Sequence, residues 1–213
     1  MLLNQKKTQE LLKKYSLRYP ETIIFNNLEE ITNKKIPFPC VLKVDSQRVV
    51  HKTELGLVFT NIMSVEELRK KTLDAQAILK EKQITAYSFI LQETVKGTEI
   101  IIGMKTDETF GKVIVFGIGG IFVELLKDVS MRIAPLEKKD CIEMLGEIKA
   151  KKILDGFRKF PAVNKDKLVD ALMKLSRLAM KEKSISEIDF NPIIVNEKGA
   201  VVVDARILGD ENA

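Results

Sequence analysis

Thirteen positions separate Asn191 from Asp204 in the stretch SEIDFNPIIVNEKGAVVVDARI, with the turn tetrad NEKG between them. A hairpin folded at NEKG sets such positions side by side, so that an amide oxygen and a carboxylate can face one ion. Magnesium takes hard oxygen donors, one or two from protein and the rest from phosphates and water. Elsewhere, charges interrupt apolar runs expected to be strands. They are Lys43 in CVLKVD, Glu93 closing ILQE, Glu99 in GTEIIIG, Glu124 in IFVELL, Arg132 in SMRIAPL, Asp189 in EIDFNP and Arg206 in VVVDARI. Strand residues alternate faces, and an antiparallel sheet often wets one side, so any one of these fits an exposed strand face. Together they make the set that holds a polyphosphate with its Mg2+. In that set Lys43 is a point charge and Arg132 a fork onto two phosphate oxygens. Gly119 and Gly120 in FGIGGI most often make only a tight turn, although glycine also lets a backbone lie against phosphate.

The single histidine of the 213 residues, His51, falls in VVHKTELG, eight positions after Lys43. A lone histidine is ordinarily a satisfied surface or core residue. In a polar turn, however, a neutral imidazole can swing, and at its usual pKa of about 6.5 it is the best nitrogen nucleophile for phosphorus that a side chain offers. Asp189 suits it as a partner. A carboxylate on one ring nitrogen fixes the tautomer that frees the other.

The elements that must position these residues follow from local pattern. Thr8, Leu11, Leu12 and Tyr15 sit at helical spacing. A helical piece is expected around Asn27 to Lys34, ending before Pro37 and Pro39, after which CVLKV reads as a strand. Ser64 with Glu67 is a capping-box signature for the next helix. From Ala86 the chain reads strand after strand: YSFILQETV and TEIIIGMKT as a hairpin through KG, then GKVIVFGI, IFVELL and DVSMRIAPL as a meander. Helices are expected from Glu137 to Ile153 and from Asn164, the latter with Leu168, Leu172, Leu175 and Ala179 on one stripe. This order predicts an α+β protein of two lobes, residues 1–85 and 86–213, with mostly antiparallel sheets flanked by helices.

Composition narrows the function classes. Hydrophobic residues make up 45% of the chain, enough for a core, and 35 basic residues stand against 30 acidic ones for a net charge of +5. Only seven of the 35 are arginines, and most lysines alternate with glutamate on helical stretches, which reads as a solvated face rather than a nucleic-acid surface. Cys40 and Cys141 are 101 positions apart with no CxxC partner, so reduced buried thiols are expected. The longest apolar run, VIVFGIGGIFVELL, is shorter than the roughly 18 residues of a membrane span. The expected compartment is the cytoplasm, with no membrane and no nucleic-acid partner.

Read in order, VLKV, VVHKTELG, ILQETVKGTEIIIGM, FGIGGIFVELLKDVSMRIAPL, EIDFNPIIV and VVVDARI resemble an ATP-grasp domain. More narrowly they are similar to the β subunit of ADP-forming acetyl-CoA (acyl-CoA) synthetases, relatives of succinyl-CoA synthetase. The resemblance implies an acid–CoA ligase that binds ATP or ADP between two lobes. Adenine would lie at Gln92 and Glu93, with Glu99 near the ribose. Lys43, Arg132 and the glycines Gly119 and Gly120 would be at the phosphates, and Mg2+ on Asn191 and Asp204. His51 would relay a phosphoryl group, steadied by Asp189. The roles of Glu124 and Arg206 stay open. The chain has no GxGxxG turn for coenzyme A and no second histidine, so the resemblance implies an α subunit and an α2β2 assembly. Two alternatives remain at this point: a free-standing ATP-grasp carboxylate ligase working through an acyl phosphate, and a basic module that binds RNA or an acidic protein.

Overall fold

The computed structural model describes residues 1–32, 34–46, 48–49, 52–120, 127–157 and 161–210. His51 and Glu124, with the IFVELL run that contains Glu124, lie outside the described residues.

The chain divides into two compact units, Pro20–Thr94 and Met1–Tyr19 with Val95–Ala213. The smaller unit is a four-stranded antiparallel sheet in the order β1-β4-β2-β3: β1 Thr22–Phe25, β2 Cys40–Asp45, β3 Val58–Ile62 and β4 Ser88–Glu93. One face is covered by helix α2, Val65–Glu81. Its Leu68, Ala75 and Leu79 are buried with Cys40, Leu42, Val44, Phe89 and Leu91. Ser64 caps α2 by accepting the Glu67 amide at 3.1 Å, while the Glu67 carboxylate reaches back to the Met63 amide at 2.9 Å. The reciprocal pair expected from sequence is there, reaching back one residue further. The piece expected around Asn27 is a 3-10 turn, Leu28–Ile31, capped by Asn27.

The larger unit holds a six-stranded antiparallel sheet in the order β10-β8-β5-β6-β7, with β9 paired to β8. Its strands are β5 Thr98–Asp107, β6 Gly111–Ile118, β7 Val129–Ile133, β8 Ile185–Asn196, β9 Gly199–Val202 and β10 Ala205–Gly209. Helices α1 Gln5–Lys14, α3 Lys138–Glu147 and α4 Lys165–Lys181 complete it. Ile100, Ile102, Ile114, Phe116, Ile188, Phe190 and Ile207 are buried with Met144 of α3 and Leu168, Leu172 and Leu175 of α4. The helix expected to reach Ile153 stops at Glu147 because Ile148 is extended. A 3-10 turn, Lys149–Ile153, then restarts, its first amides at Lys149 and Ala150 held by the Asp128 carboxylate at 2.8 Å each. Cys40 and Cys141 are free and buried, and burial pushes both thiols up to about 11.

Two further expectations differ from the structure. The KG turn does not close a hairpin, since β4 pairs with β1 and β2 whereas β5 pairs with β6 and β8. Gly97 instead passes so close to β8 that a Cβ there would stand 2.5 Å from the Val195 carbonyl oxygen, and Asn196 Nδ2 donates to Lys96 O at 2.7 Å. Its lack of a side chain serves a close approach, not a two-residue turn. The other difference is the boundary. Residues 1–19 group with the C-terminal unit, because Leu12 and Leu17 are buried in its core, Leu2 bridges to Leu208, and Val202 N donates to Arg18 O at 2.9 Å.

Helix α1 is therefore integral to the larger unit. Leu12→Ala is expected to lower its stability by about 2–5 kcal/mol, the cost of a large-to-small change at a fully buried site. Urea denaturation measures this, and a loss below about 1 kcal/mol would mean that α1 merely rests on the surface.

Candidate functional site

Each sheet has a helix-covered face and an opposite face, and strand alternation decides which side chains go where. In the smaller unit Cys40, Leu42 and Val44 turn toward α2, so Lys43 turns away from it. Lys43 stands opposite Ile90 of β4 and Val58 of β3 and is buried. Gln92 shares that face, opposite Val41 and Thr22, and its Nε2 donates to Thr22 Oγ1 at 3.3 Å. Glu93 is exposed at the end of β4, opposite Cys40, one residue before the last residue of this unit. Glu93 lies on the other side of the strand from Gln92, so only the backbone of Glu93 can share a ligand with the Gln92 face.

In the larger unit, Ile188 and Phe190 point into the core and Asp189 points out. Directly across from Asp189 are Arg206 on β10 and Gly103 on β5. Between Phe190 and Ile193 the register slips, so that Asn191 and Pro192 together oppose Ile101. A bulge of this kind re-aims side chains, and here it presents Asn191 to solvent. Asn191 N donates to the Asp204 carbonyl at 3.2 Å, while the Val203 and Asp204 amides both donate to Pro192 O, at 3.2 and 3.4 Å. The two positions expected to meet across the NEKG hairpin do meet, at the break between β9 and β10. Glu99, next to the buried Ile100, lies on the same outer face and is exposed. Its carbonyl accepts the Gly119 amide at 2.9 Å. A Cβ on Gly119 would stand 3.2 Å from Glu99 Cβ, and Gly120 follows with φ of +66°.

Arg132 is not with them. It pairs with the buried Ile114 and turns toward α3, where its guanidinium bonds the Glu147 carboxylate and lies 3.6 Å from Glu143. Ser130, on the same side of β7, also donates to Glu147, at 2.6 Å. These carboxylates hold the Arg132 proton more firmly than usual, and Arg132 with Ser130 keeps Glu147 below the ordinary carboxylate range. The phosphate fork expected of Arg132 is therefore corrected: it is a strut between β7 and α3, on the helix side of the sheet.

Electrostatically the outer face is crowded with oxygen. Burial pushes the Asp189 carboxyl above the usual carboxylate range; the Asp204 and Glu187 carboxylates push it the same way, and Arg206 opposes them. One further signal lies in the sequence. Gly103, inside the apolar run EIIIGMK, leaves the sheet bare beside Asp189, and a glycine in mid-strand is a known mark of close approach by a ligand or another backbone. Arg206 was noted without a role.

The model of the ATP-grasp domain matches residues 1–208. The chain belongs to the ATP-grasp family. Within that family, the ATP-grasp domain is 39% identical over 211 residues to the β subunit of acetate–CoA ligase (ADP-forming) I of Pyrococcus furiosus, covering 97% of this chain and 91% of that one. It is also 39% identical over 213 residues to acetate–CoA ligase (ADP-forming) II of Archaeoglobus fulgidus, where it spans 31% of the longer protein. Among solved structures it superimposes with a TM-score of 0.93 on the dinucleotide forming acetyl-coenzyme A synthetase 1 of Ca. Korarchaeum cryptofilum, in complex with coenzyme A and Ca-AMPCP. That match has 37% identity and covers 98% of this chain and 93% of that one. Another structure of the same protein, with Mg-AMPPCP, has its phosphohistidine segment pointing towards the nucleotide binding site. The α+β fold with mostly antiparallel sheets, expected from the sequence, is the fold found. Among the described residues no helix is long and apolar enough to cross a membrane.

Proposed function

We propose that this ATP-grasp domain is the nucleotide-binding β subunit of an ADP-forming acetyl- or acyl-CoA synthetase, and that it moves a phosphoryl group between a phosphohistidine and ADP. The net reaction is acyl-CoA + ADP + phosphate to acid + ATP + coenzyme A. The observation that carries the reading is the near-complete match, in both directions, to a chain that is itself a separate β subunit. An α subunit supplies the coenzyme A site and the first phosphohistidine, and the assembly is α2β2.

Asn191 and Asp204 are the residues that would hold Mg2+. The residue types fit: Asn191 offers a neutral amide oxygen and Asp204 a carboxylate, their backbones meet at the β8 bulge, and Asp189 and Glu187 add further negative charge to that face. Magnesium bound there would take its remaining ligands from phosphate and water. When bound, the ion screens the polyphosphate charge.

The protein residues do the rest. Lys43 neutralises phosphate oxygens, Gln92 and the Glu93 backbone border the adenine, and Glu99 takes the ribose. The backbone at Gly119 and Gly120 passes near the phosphates. His51 carries the phosphoryl group on one ring nitrogen while Asp189 accepts the N–H of the other. As a β-phosphate oxygen of ADP bonds to phosphorus, the N–P bond breaks and the ring leaves as neutral imidazole. Positioning and charge stabilisation supply most of the acceleration in such a transfer.

The test needs no partner. A ligand that binds only the folded state raises apparent stability by about 2.7 kcal/mol at 100 times its Kd, or roughly 5–10 °C in Tm for a domain of this size. Mg-ADP is expected to produce such a shift in a thermal melt. No shift at millimolar Mg-ADP would remove the nucleotide from the proposal. Copurification with native partners would identify the α subunit.

A further inference from the structure

We propose that Arg206, and not Arg132, is the arginine that contacts the terminal phosphate of the bound nucleotide, an inference that rests on the nucleotide reading above. Placement decides between the two. Arg132 is on the helix-covered side of the sheet, bound by Glu147 and Glu143. Arg206 is on the outer face, directly across β8–β10 from Asp189 and two positions beyond Asp204. Cross-strand neighbours in such a register touch, so a phosphoryl group held near Asp189 is within the guanidinium's reach.

Two further observations support this. Arg206 Nε is buried and finds no hydrogen-bond partner among the described residues. A buried guanidinium N–H without an acceptor is costly, and an oxygen-rich ligand is what would satisfy it. The second is charge. Asp189, Asp204 and Glu187 bring three carboxylates to this face, and Lys105 stands opposite Glu187, so the cation beside Asp189 is Arg206. A polyphosphate set against these carboxylates gains from a fixed positive charge among them in addition to its Mg2+. Guanidinium stays charged at all working pH values and forks onto two phosphate oxygens. The nucleotide end next to Asp189 is the end that gives or receives the phosphoryl group, so the contact is with the γ-phosphate of ATP.

The prediction is therefore selective between nucleotides. By titration calorimetry of the whole chain, Arg206→Met is expected to weaken Mg-AMPPNP about 10- to 100-fold, the worth of a charge-assisted hydrogen bond, and Mg-ADP by less than about threefold. Arg206→Lys keeps the charge without the fork and should lose about 3- to 10-fold for Mg-AMPPNP alone. It serves as the test if the methionine variant does not fold. Arg132→Met should keep both affinities within about threefold while lowering Tm, since it breaks only the tie to α3. Equal loss for both nucleotides in the Arg206 variants, loss for neither, or a selective loss in Arg132→Met would overturn the assignment. If the wild-type chain binds neither nucleotide, the functional reading itself fails, and that result is distinct from the others.

Discussion

Replacing His51 by Asn is expected to stop overall turnover in the assembled enzyme, by roughly 10^4-fold or more, while Mg-ADP affinity stays within about twofold. Asparagine keeps a comparable size and polarity but offers no nitrogen basic enough to attack phosphorus. The nucleotide site proposed here uses other residues, so binding and transfer separate cleanly. Steady-state ATP formation with the α subunit reads the first quantity and calorimetry the second. Labelling gives an independent check: wild-type chain incubated with ATP carrying a labelled γ-phosphate should acquire an acid-labile phosphoryl group that the variant lacks. Turnover above a tenth of the wild-type rate would rule His51 out as a carrier and favour direct formation of an acyl phosphate instead.

The second large effect is on binding. Asp204→Ala is expected to raise the Kd for Mg-ADP by roughly 10- to 100-fold, about 1.4–2.8 kcal/mol. The carboxylate is the one charged donor of the proposed pair, and alanine leaves only the Asn191 amide. The bond that sets Asp204 beside Asn191 runs from the Asn191 amide to the Asp204 carbonyl, so truncating the side chain leaves the strand register in place. The control is ADP in excess EDTA, where wild type and variant should bind alike. An unchanged Mg-ADP affinity would take Asp204 out of the metal site.

Much of the fold was legible because its signals are local. The caps at Ser64 and Asn164 report backbone amides within three residues of themselves. The strands β5, β6 and β7 announce themselves by short β-rich runs, although β6 pairs directly with β5 and β7 and not in the meander order expected through IFVELL; the hairpin at NEKG shows in its turn tetrad. The short edge strands β1 and β3 were missed, since TIIF and VFTNI are brief and carry little alternation to read. The KG dipeptide misled for a physical reason: a glycine required by a close approach and one required by a turn look identical in one dimension.

The sequence by itself determined the chemistry available to this protein: one imidazole, a separated Asn and Asp that a hairpin would join, and cations set into apolar strands. Pairing of Asn191 with Asp204 needed only a turn between them, so it could be read. Only the tertiary structure decided which of those charges share a face. Alternation tells that Arg132 and Arg206 each leave the sheet on one side, but not which side the helices cover. That is settled by where α3 and α4 pack and by the bulge at Asn191, both products of contacts distant in sequence. Those contacts turn Arg132 toward Glu147 and leave Arg206 beside Asp189. They also draw residues 1–19 into the C-terminal unit, because the apolar stripe that α1 carries finds its complement there.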